Sequence, residues 1–399
     1  MYIRTLLAGL AAVASISPVA AQPRRGGGGR PNGNSNNNNN NGDGDVYPVF
    51  NNKVIFTPEA NFTDPRVLYA RSLELSDGTL LATWENYSPE PPLVHFPIYE
   101  SRDHGDTWAE ISQVHDTVNG WGLRYQPDLF ELPRDVGEFP AGTIICTGNS
   151  IPTDLSQTQI DVYASKDKGR TWEFVSHVAA GGVANPVNEE TPVWEPHMIM
   201  HEDTIVLYYA DQRPSDHGQV ISHQTTQDLR TWTPVVHDAI YDDYTDRPGM
   251  PSVARLPDGR YIYVYEYGGD PAFSTYQFPI HYRISDDPTK FHDAPDHLVS
   301  YNGRSPTTGP FVVWTPWGGP NGTIVLSAYQ GEVWANKALG DPSAWRYYSV
   351  EQPSAYTRNL RIFKDRPELM IIMGAGYLPP STTNKVSLSI VDLNQVIGN

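Results

Sequence analysis

Three glutamates stand out for their settings. Glu195 lies in Val193-Trp194-Glu195-Pro196-His197, Glu266 in Tyr263-Val264-Tyr265-Glu266-Tyr267, and Glu85 follows Trp84. Apolar and aromatic neighbours raise a carboxyl pKa, which suits a general acid, and two carboxyls flanking one glycosidic bond can cleave it. The same settings fit a solvated or arginine-paired glutamate, so neighbours alone do not make a catalyst. Other chemistries lack their residues. There is no H-E-x-x-H or other close ligand spacing, no G-x-S-x-G and no G-x-x-x-x-G-K-S/T, so no metal and no cofactor is expected. His197, His201 and His217 read as satisfied core or surface residues before they read as ligands. The single cysteine, Cys146 in Thr143-Ile-Ile-Cys-Thr147, excludes an intrachain disulfide framework and reads as a buried strand residue.

The elements that must position these groups announce themselves as a repeat. Ser101-Arg-Asp-His-Gly-Asp-Thr-Trp108 and Ser165-Lys-Asp-Lys-Gly-Arg-Thr-Trp172 share S-x-D-x-G-x-T-W, and weaker echoes end at Trp232, Phe291 and Trp345. In such a turn the Asp carboxylate accepts backbone N–H groups, Gly takes a positive φ, and the aromatic packs below the next strand. The pattern resembles the Asp-box of sialidase-like β-propellers, where it serves the scaffold. Three strand-like runs precede each box: Val67–Leu75, Thr79–Asn86 and Phe96–Ser101 in the first unit, and Pro251–Leu256, Arg260–Tyr267 and Pro279–Ser285 in the fourth. Units starting at Arg66, Tyr125, Val193, Pro251, Pro310 and Tyr356 predict an all-β fold, a six-bladed propeller of four-stranded antiparallel blades. The last unit lacks an outer strand after Val386–Val391, and Val46–Phe56 is expected to supply it. A two-sheet sandwich would not explain the regular boxes.

The start of the chain reads differently. Residues 1–21 have the charge, apolar run and small-residue cleavage site of a secretory signal, and 22–45, rich in Gly and Asn, read as a disordered linker before a catalytic domain over 46–399. Export implies a secreted, extracellular protein, and sequons at Asn61, Asn86 and Asn321 fit that route. The chain has a formal charge of −18, and because residues 1–45 hold four arginines and two aspartates the remainder carries −20. That balance argues against nucleic acid as a partner and suits a neutral polymer better than an anionic one. The apolar stretch near the start is too short to span a bilayer, so no membrane partner is expected. A monomer is the expected state.

In each blade the start of the first strand and the end of the second meet on one face. Those positions gather Tyr69, Arg71, Glu85 and Asn86; Arg124, Tyr125, Gln126, Asp128, Asn149 and Ser150; Trp194, Glu195, His197 and Asp211; Arg247, Ser252 and Glu266; then Thr308, Tyr329, Gln330, Tyr356, Arg358 and Tyr377. Aromatic rings for sugar faces, arginines and amides for hydroxyls, and paired carboxyls make a sugar site. Glu85 and Glu266 each stand seven residues after a turn glycine, Gly78 and Gly259, so the repeat does not choose between them.

From about Val46 to Asn399 the chain resembles glycoside hydrolase family 93, the exo-α-1,5-L-arabinanases. The resemblance is carried by Arg71-Ser-Leu-Glu-Leu-Ser-Asp-Gly-Thr-Leu-Leu-Ala-Thr-Trp84, Val193-Trp-Glu-Pro-His197, Arg247-Pro-Gly-Met-Pro-Ser-Val253 and Val264-Tyr-Glu-Tyr267. It implies release of arabinobiose from the non-reducing end of linear arabinan, with retention of configuration. It also implies two catalytic glutamates about seventy residues apart on successive blades, which selects Glu195 and Glu266 and leaves Glu85 a substrate-side or structural role. Glu195 is placed as nucleophile and Glu266 as acid/base, an order the sequence leaves open. Arg71, Tyr125, Gln126, Asp128, Trp194, His197, Arg247, Tyr356 and Arg358 are the substrate-binding candidates. An exo-sialidase is the alternative: Arg71, Arg247 and Arg358 would clamp a carboxylate, but Asp64-Pro-Arg-Val-Leu68 stands where the Arg-Ile-Pro entry motif is expected. A secreted glycan-binding propeller without catalysis is the second alternative. Exo action needs a loop that walls off one end of the cleft, for which Ser88–His95, Asp211–Gly218 and Gly268–Gln277 are long enough.

Overall fold

The computed structural model describes residues 47–398. Six four-stranded antiparallel sheets make up the described fold, each with its strands in chain order except the last. Blade one comprises Val67–Glu74, Leu80–Asn86, Phe96–Ser101 and Ala109–Val114, and blade two Leu123–Glu131, Ile144–Ser150, Thr158–Ser165 and Glu173–Gly181. Blade three has Val193–His201, Thr204–Asp211, Val220–Thr226 and Val236–Ala239, and blade four Arg247–Arg255, Tyr261–Gly268, Ile280–Ser285 and His297–Leu298. Blade five has Phe311–Thr315, Thr323–Ser327, Glu332–Asn336 and Arg346–Ser349. Blade six takes Arg358–Ile362, Leu369–Gly374 and Val386–Asp392 from the end of the chain and Phe50–Phe56 from its start.

That last pairing closes the ring as the short final unit predicts. Phe50 faces Ile390 and Phe56 faces Val386 in antiparallel register. Phe56 also packs on Trp84 and Tyr99 of blade one, with ring centroids 5.1 and 5.9 Å apart, so one strand ties both neighbours. The expected signal and linker, residues 1–45, lie outside the described residues. Of the three sequons, Asn61 and Asn321 are exposed, whereas Asn86 is 8% exposed at the end of a strand and reaches His95. Asn86 is therefore no accessible acceptor in the folded chain.

The core lies between facing blades. Ile160 and Val162 of blade two share one apolar cluster with Ile205, Leu207 and Tyr209 of blade three, and Ile262 and Val264 of blade four share another with Ile324, Leu326 and Trp334 of blade five. Cys146 is a free, buried thiol in the same type of layer.

The Asp motifs are turns at the outer end of the third strands. Asp167 accepts from the amides of Arg170 and Thr171 at 3.1 and 2.9 Å and from the hydroxyls of Ser165 and Thr171, and Asp103 and Asp228 are bonded in like manner. These bonds outweigh the cost of partial burial and hold all three carboxyls below the usual carboxylate range. The tryptophans staple blades together: Trp172 Nε1 donates to Ser112 Oγ at 3.1 Å and Trp232 Nε1 to Ser176 Oγ at 3.0 Å. Asp167→Ala is expected to lower unfolding free energy by about 1–3 kcal/mol, by leaving turn amides without their acceptor. An unchanged denaturation midpoint would show that the turn does not depend on the carboxylate.

Candidate active site

Each of the first four inner strands carries a β-bulge at the same height. Register slips between Leu68 and Arg71, Tyr125 and Asp128, Trp194 and His197, and Gly249 and Ser252. One residue per bulge takes a left-handed backbone: Tyr69 (φ 53°), Gln126 (58°), Glu195 (62°) and Met250 (55°), with Thr308 (62°) at the corresponding place before blade five. Proline follows three of them, at Pro127, Pro196 and Pro251. A residue without an N–H is tolerated there because an inner strand is a sheet edge and the bulge leaves a ladder position unpaired. This is also why blade four starts at Arg247 rather than at Pro251. Prolines inside an apolar run look like a strand boundary, yet here they lie within the strand.

The bulges build a chain of hydrogen bonds from blade to blade. Gln126 N–H donates to Glu85 Oε1 (2.9 Å), Glu195 N–H to Gln126 Oε1 (3.1 Å), Met250 N–H to Glu195 Oε2 (2.6 Å), and Gly309 N–H to Glu266 Oε2 (2.9 Å). A bulge re-aims its side chain, and the left-handed turn at Glu195 points the carboxyl toward the next blade. Glu85 and Glu266 thus hold equivalent places, as the repeat requires, but their second oxygens differ. Tyr87 hydroxyl closes Glu85 Oε2 at 2.7 Å. Two residues after Glu266 stands Gly268, where a Cβ would run into Phe278, and no side chain from that position caps Glu266. Glu85 thus holds the Gln126 bulge with one oxygen and meets Tyr87 with the other, while Glu266 is held through Oε2.

Glu195 and Glu266 come together across Gly249. A Cβ placed on Gly249 would lie 3.3 Å from Glu195 Oε2 and 3.8 Å from Glu266 Oε1, so the two oxygens are no more than about 7 Å apart, against about 5–5.5 Å for retaining and 6.5–9.5 Å for inverting pairs. Both glutamates are buried, at 7% and 8% exposure. Burial raises the pKa of each, and the Glu195 charge raises Glu266 further. Against burial, Glu195 has the Met250 amide and the charges of Arg247 and Arg71, whereas Glu266 has the Gly309 amide and Arg247. Burial also pushes Glu85 up to about 7.

Arg247 has no carboxylate partner in this network. Its guanidinium donates to three side-chain amide oxygens, of Asn188 (2.5 Å), Gln212 (2.9 Å) and Gln219 (2.8 Å), which fix its place while leaving its charge uncancelled. Arg71, 5% exposed, lies 3.9 Å from the Tyr69 ring centroid and 5.3 Å from that of Phe311, and donates to Thr357 Oγ1 at 3.2 Å. It acts on Glu195 as a buried charge behind the site.

Several expected contacts are placed elsewhere. Tyr125 and Trp194 form a row with Tyr87 at centroid spacings of 6.0 and 6.4 Å, Trp194 being buried in an apolar cluster with Ile151 and Ala210, and half-buried Tyr356 lies within the field of both glutamates. Gln126 spends its carbonyl oxygen on Asn149 and on the Glu195 amide. Asp128 and His197 pair with each other at 3.2 Å, and His197 Nε2 accepts from Val253 N–H. Both line a cavity of about 760 Å³ bordered by the far halves of the inner strands, with Leu129, Arg255 and Trp314. The bulge is the cause: one extra residue before Asp128 and His197 shifts which side chains face the mouth. Arg358 is fully buried, with Nε on Ala328 O at 3.1 Å and Nη2 on Glu332 O, so it braces a turn below the surface. Missed by sequence reasoning were Gly249, Gly309, Met250, Asn188, Gln212 and Gln219, which act through backbone amides or as an amide cage. Among the described residues no group of three or more His, Cys, Asp or Glu is arranged to hold a metal ion.

No family model and no curated protein sequence matches the chain. Solved structures do. Over 88% of this chain and 99% of theirs, it is similar to an alpha-L-arabinofuranosidase from Fusarium graminearum in complex with an iminosugar inhibitor (57% identity, TM-score 0.86) and to the GH93 alpha-L-arabinofuranosidase of the same organism with arabinobiose (58%, 0.86). A Penicillium chrysogenum alpha-L-arabinanase complexed with arabinobiose matches over the same shares at 51% identity and a TM-score of 0.85. The NanB sialidase from Streptococcus pneumoniae shares the fold, at 12% identity and a TM-score of 0.57, over 88% of this chain and 71% of that one.

Proposed function

The chain belongs to glycoside hydrolase family 93, and on that premise we propose that it is a secreted exo-α-1,5-L-arabinanase that releases arabinobiose from the non-reducing end of linear arabinan with retention. The observation that carries the chemistry is the pair of buried carboxyls meeting across Gly249 at no more than about 7 Å, a bound that includes the retaining spacing and only the shortest inverting ones. The relatives crystallised with arabinobiose support the substrate.

Their surroundings give the two glutamates different work. Arg71 and Arg247 both favour the charged form of Glu195, while Glu266 feels Arg247 alone and is held protonated by burial and by the Glu195 charge. Glu195 attacks the anomeric carbon as Glu266 gives its proton to the leaving oxygen, which forms a glycosyl ester and frees the rest of the chain. Once the ester cancels the charge of Glu195, the Glu266 carboxylate is the weaker acid's conjugate no longer, and it serves as base for the water that breaks the ester. Arg71→Met therefore moves the acid limb of the kcat/KM pH profile upward, because the charge that lowers the Glu195 pKa is gone, and leaves the alkaline limb in place. Movement of the alkaline limb instead would reverse the two roles.

The exo mode is supported by a wall beside Arg247. Asn188 Nδ2 donates to Tyr244 O at 3.0 Å, Tyr244 hydroxyl returns a bond to Asn188 O at 2.8 Å, Tyr276 hydroxyl bonds Thr245 O at 3.0 Å, and Gly218 packs on Tyr244 O. Two of the three long loops, Asp211–Gly218 and Gly268–Gln277, meet there; Ser88–His95 lies by blade two, where Glu90 pairs with Arg124 at 3.0 Å. The sialidase reading lacks its clamp, since Arg71, Arg247 and Arg358 are each engaged with separate partners. The test is product sizing on linear and branched arabinan and sialyl-lactose. Arabinobiose as the sole early product supports the proposal, and a ladder of oligomers or free sialic acid contradicts it.

A further inference from the structure

Blade four holds an ion cluster that the chemistry above does not use. His281, 6% exposed, stands between two aspartates: Nε2 lies 3.0 Å from Asp270 Oδ2, and Nδ1 lies 3.1 and 3.0 Å from the two oxygens of Asp296. The other bonds to these carboxyls also come from donors, the Ala272 amide on Asp270 Oδ1 at 2.8 Å and the hydroxyls of Tyr265 and Tyr241 on Asp296 at 2.8 and 3.0 Å. Both aspartates therefore accept, both ring nitrogens donate, and His281 is an imidazolium. Against desolvation, the bonds and the charge of His281 hold Asp296 below the usual carboxylate range. Two further charged side chains face the cluster: Arg283 Nε donates to Tyr265 hydroxyl at 3.1 Å, and Asp246, 7% exposed, accepts from Tyr267 hydroxyl at 3.0 Å.

The three members of the clamp come from separate segments around the site. His281 lies on the third strand, next to Ile280, which faces Glu266; Asp270 opens the loop after the second strand, two residues past Gly268, which faces Arg247; Asp296 directly precedes the fourth strand. That loop bears on the residues just before Arg247. Gly269 packs so closely there that a Cβ on it would lie 2.7 Å from Asp246 Oδ1, and Tyr276 hydroxyl donates to Thr245 O at 3.0 Å. The Tyr267 ring stacks on Tyr241 at 3.8 Å and meets His281 edge-on at 5.1 Å, which fills the space between clamp and loop. Arg247 is thus fixed twice, at its guanidinium by three amide oxygens and at its backbone by this loop.

We propose that His281 is a positioning residue for Arg247: clamped between Asp270 and Asp296, it fixes the loop beside Arg247 and so places the cation that acts on both glutamates. The inference rests on the glycosidase reading above. Without the clamp the loop loosens and the guanidinium shifts away from the carboxyls. Because the Arg247 charge lowers the pKa of Glu195 and of Glu266 alike, its withdrawal raises both.

The experiment is the pH profile of kcat/KM on linear arabinan for the parent, His281→Gln and Asp270→Ala, with circular dichroism to establish that each variant folds. The two substitutions remove charges of opposite sign, so a direct field on the glutamates would move the profile upward in His281→Gln and downward in Asp270→Ala. Loss of the clamp moves both limbs upward in both variants. Arg247→Met is expected to move both limbs the same way, and either substitution added to it to move them no further. Limbs that stay in place in a folded variant, a downward shift in Asp270→Ala, or a renewed shift in the Arg247→Met background overturns the proposal, and Asp270→Ala carries the test alone if His281→Gln does not fold. A parent protein without activity on arabinan overturns the glycosidase reading, which is a separate result.

Discussion

Glu195→Ala and Glu266→Ala proteins are each expected to hydrolyse linear arabinan at least about a thousandfold more slowly than the parent, and to part company when azide is added. With Glu266 gone, a nitrophenyl leaving group needs no proton, so the ester on Glu195 still forms and azide, which needs no base, takes it with the α configuration retained. With Glu195 gone, azide enters the vacated space and attacks directly, and the product is the inverted β-azide. The assignment follows from the one-sided placement of Arg71, whose charge acts on Glu195. Opposite azide products would exchange the roles, and undiminished turnover in either variant would remove that residue from catalysis. Glu266→Gln separates the enzyme from a sugar-binding propeller, because it should abolish turnover while oligosaccharides still bind.

Gly249→Ala is expected to cost about a hundredfold in kcat while the protein still folds, since displacing a catalytic group by even an ångström can be that costly. The added methyl would lie 2.7 Å from Gln219 Nε2 and 3.3 Å from Glu195 Oε2, closer than side chains normally approach. Gln219 would have to yield, and with it one of the three oxygens that hold Arg247. The Met250 amide that fixes Glu195 is the next residue along. Circular dichroism and denaturation checks that the fold persists; near-parent kcat in Gly249→Ala would mean the space across Gly249 does not set the pair.

The fold was legible because its signals are local and repeated. Asp103 and Asp167 sit in short motifs whose turn chemistry needs no distant partner, and the missing outer strand of the last unit pointed to Phe50–Phe56. The site was legible in part. Glu195 and Glu266 stand out through their aromatic settings and the family resemblance, and they meet across Gly249, but counting along regular strands also draws Asp128, His197 and Arg358 to the mouth. A bulge inserts one residue, so the alternation of facing fails beyond it, and Asp128 and His197 turn into the channel. Arg358 illustrates a different limit: a guanidinium bonded to two main-chain carbonyls leaves no trace in residue type or spacing. Likewise the difference between Glu85 and Glu266 came down to Tyr87 against Gly268, two residues further on, which only the bonds to each carboxyl reveal.

The most direct measurement of the account is the anomeric configuration of the first sugar released from linear arabinan, followed by proton NMR before mutarotation. Two carboxyls that meet across Gly249 and act as nucleophile and acid/base predict α-arabinobiose first, with the β anomer growing in later. A β product at the earliest times would contradict the account, because it would place water, and not Glu195, on the anomeric carbon in the first step.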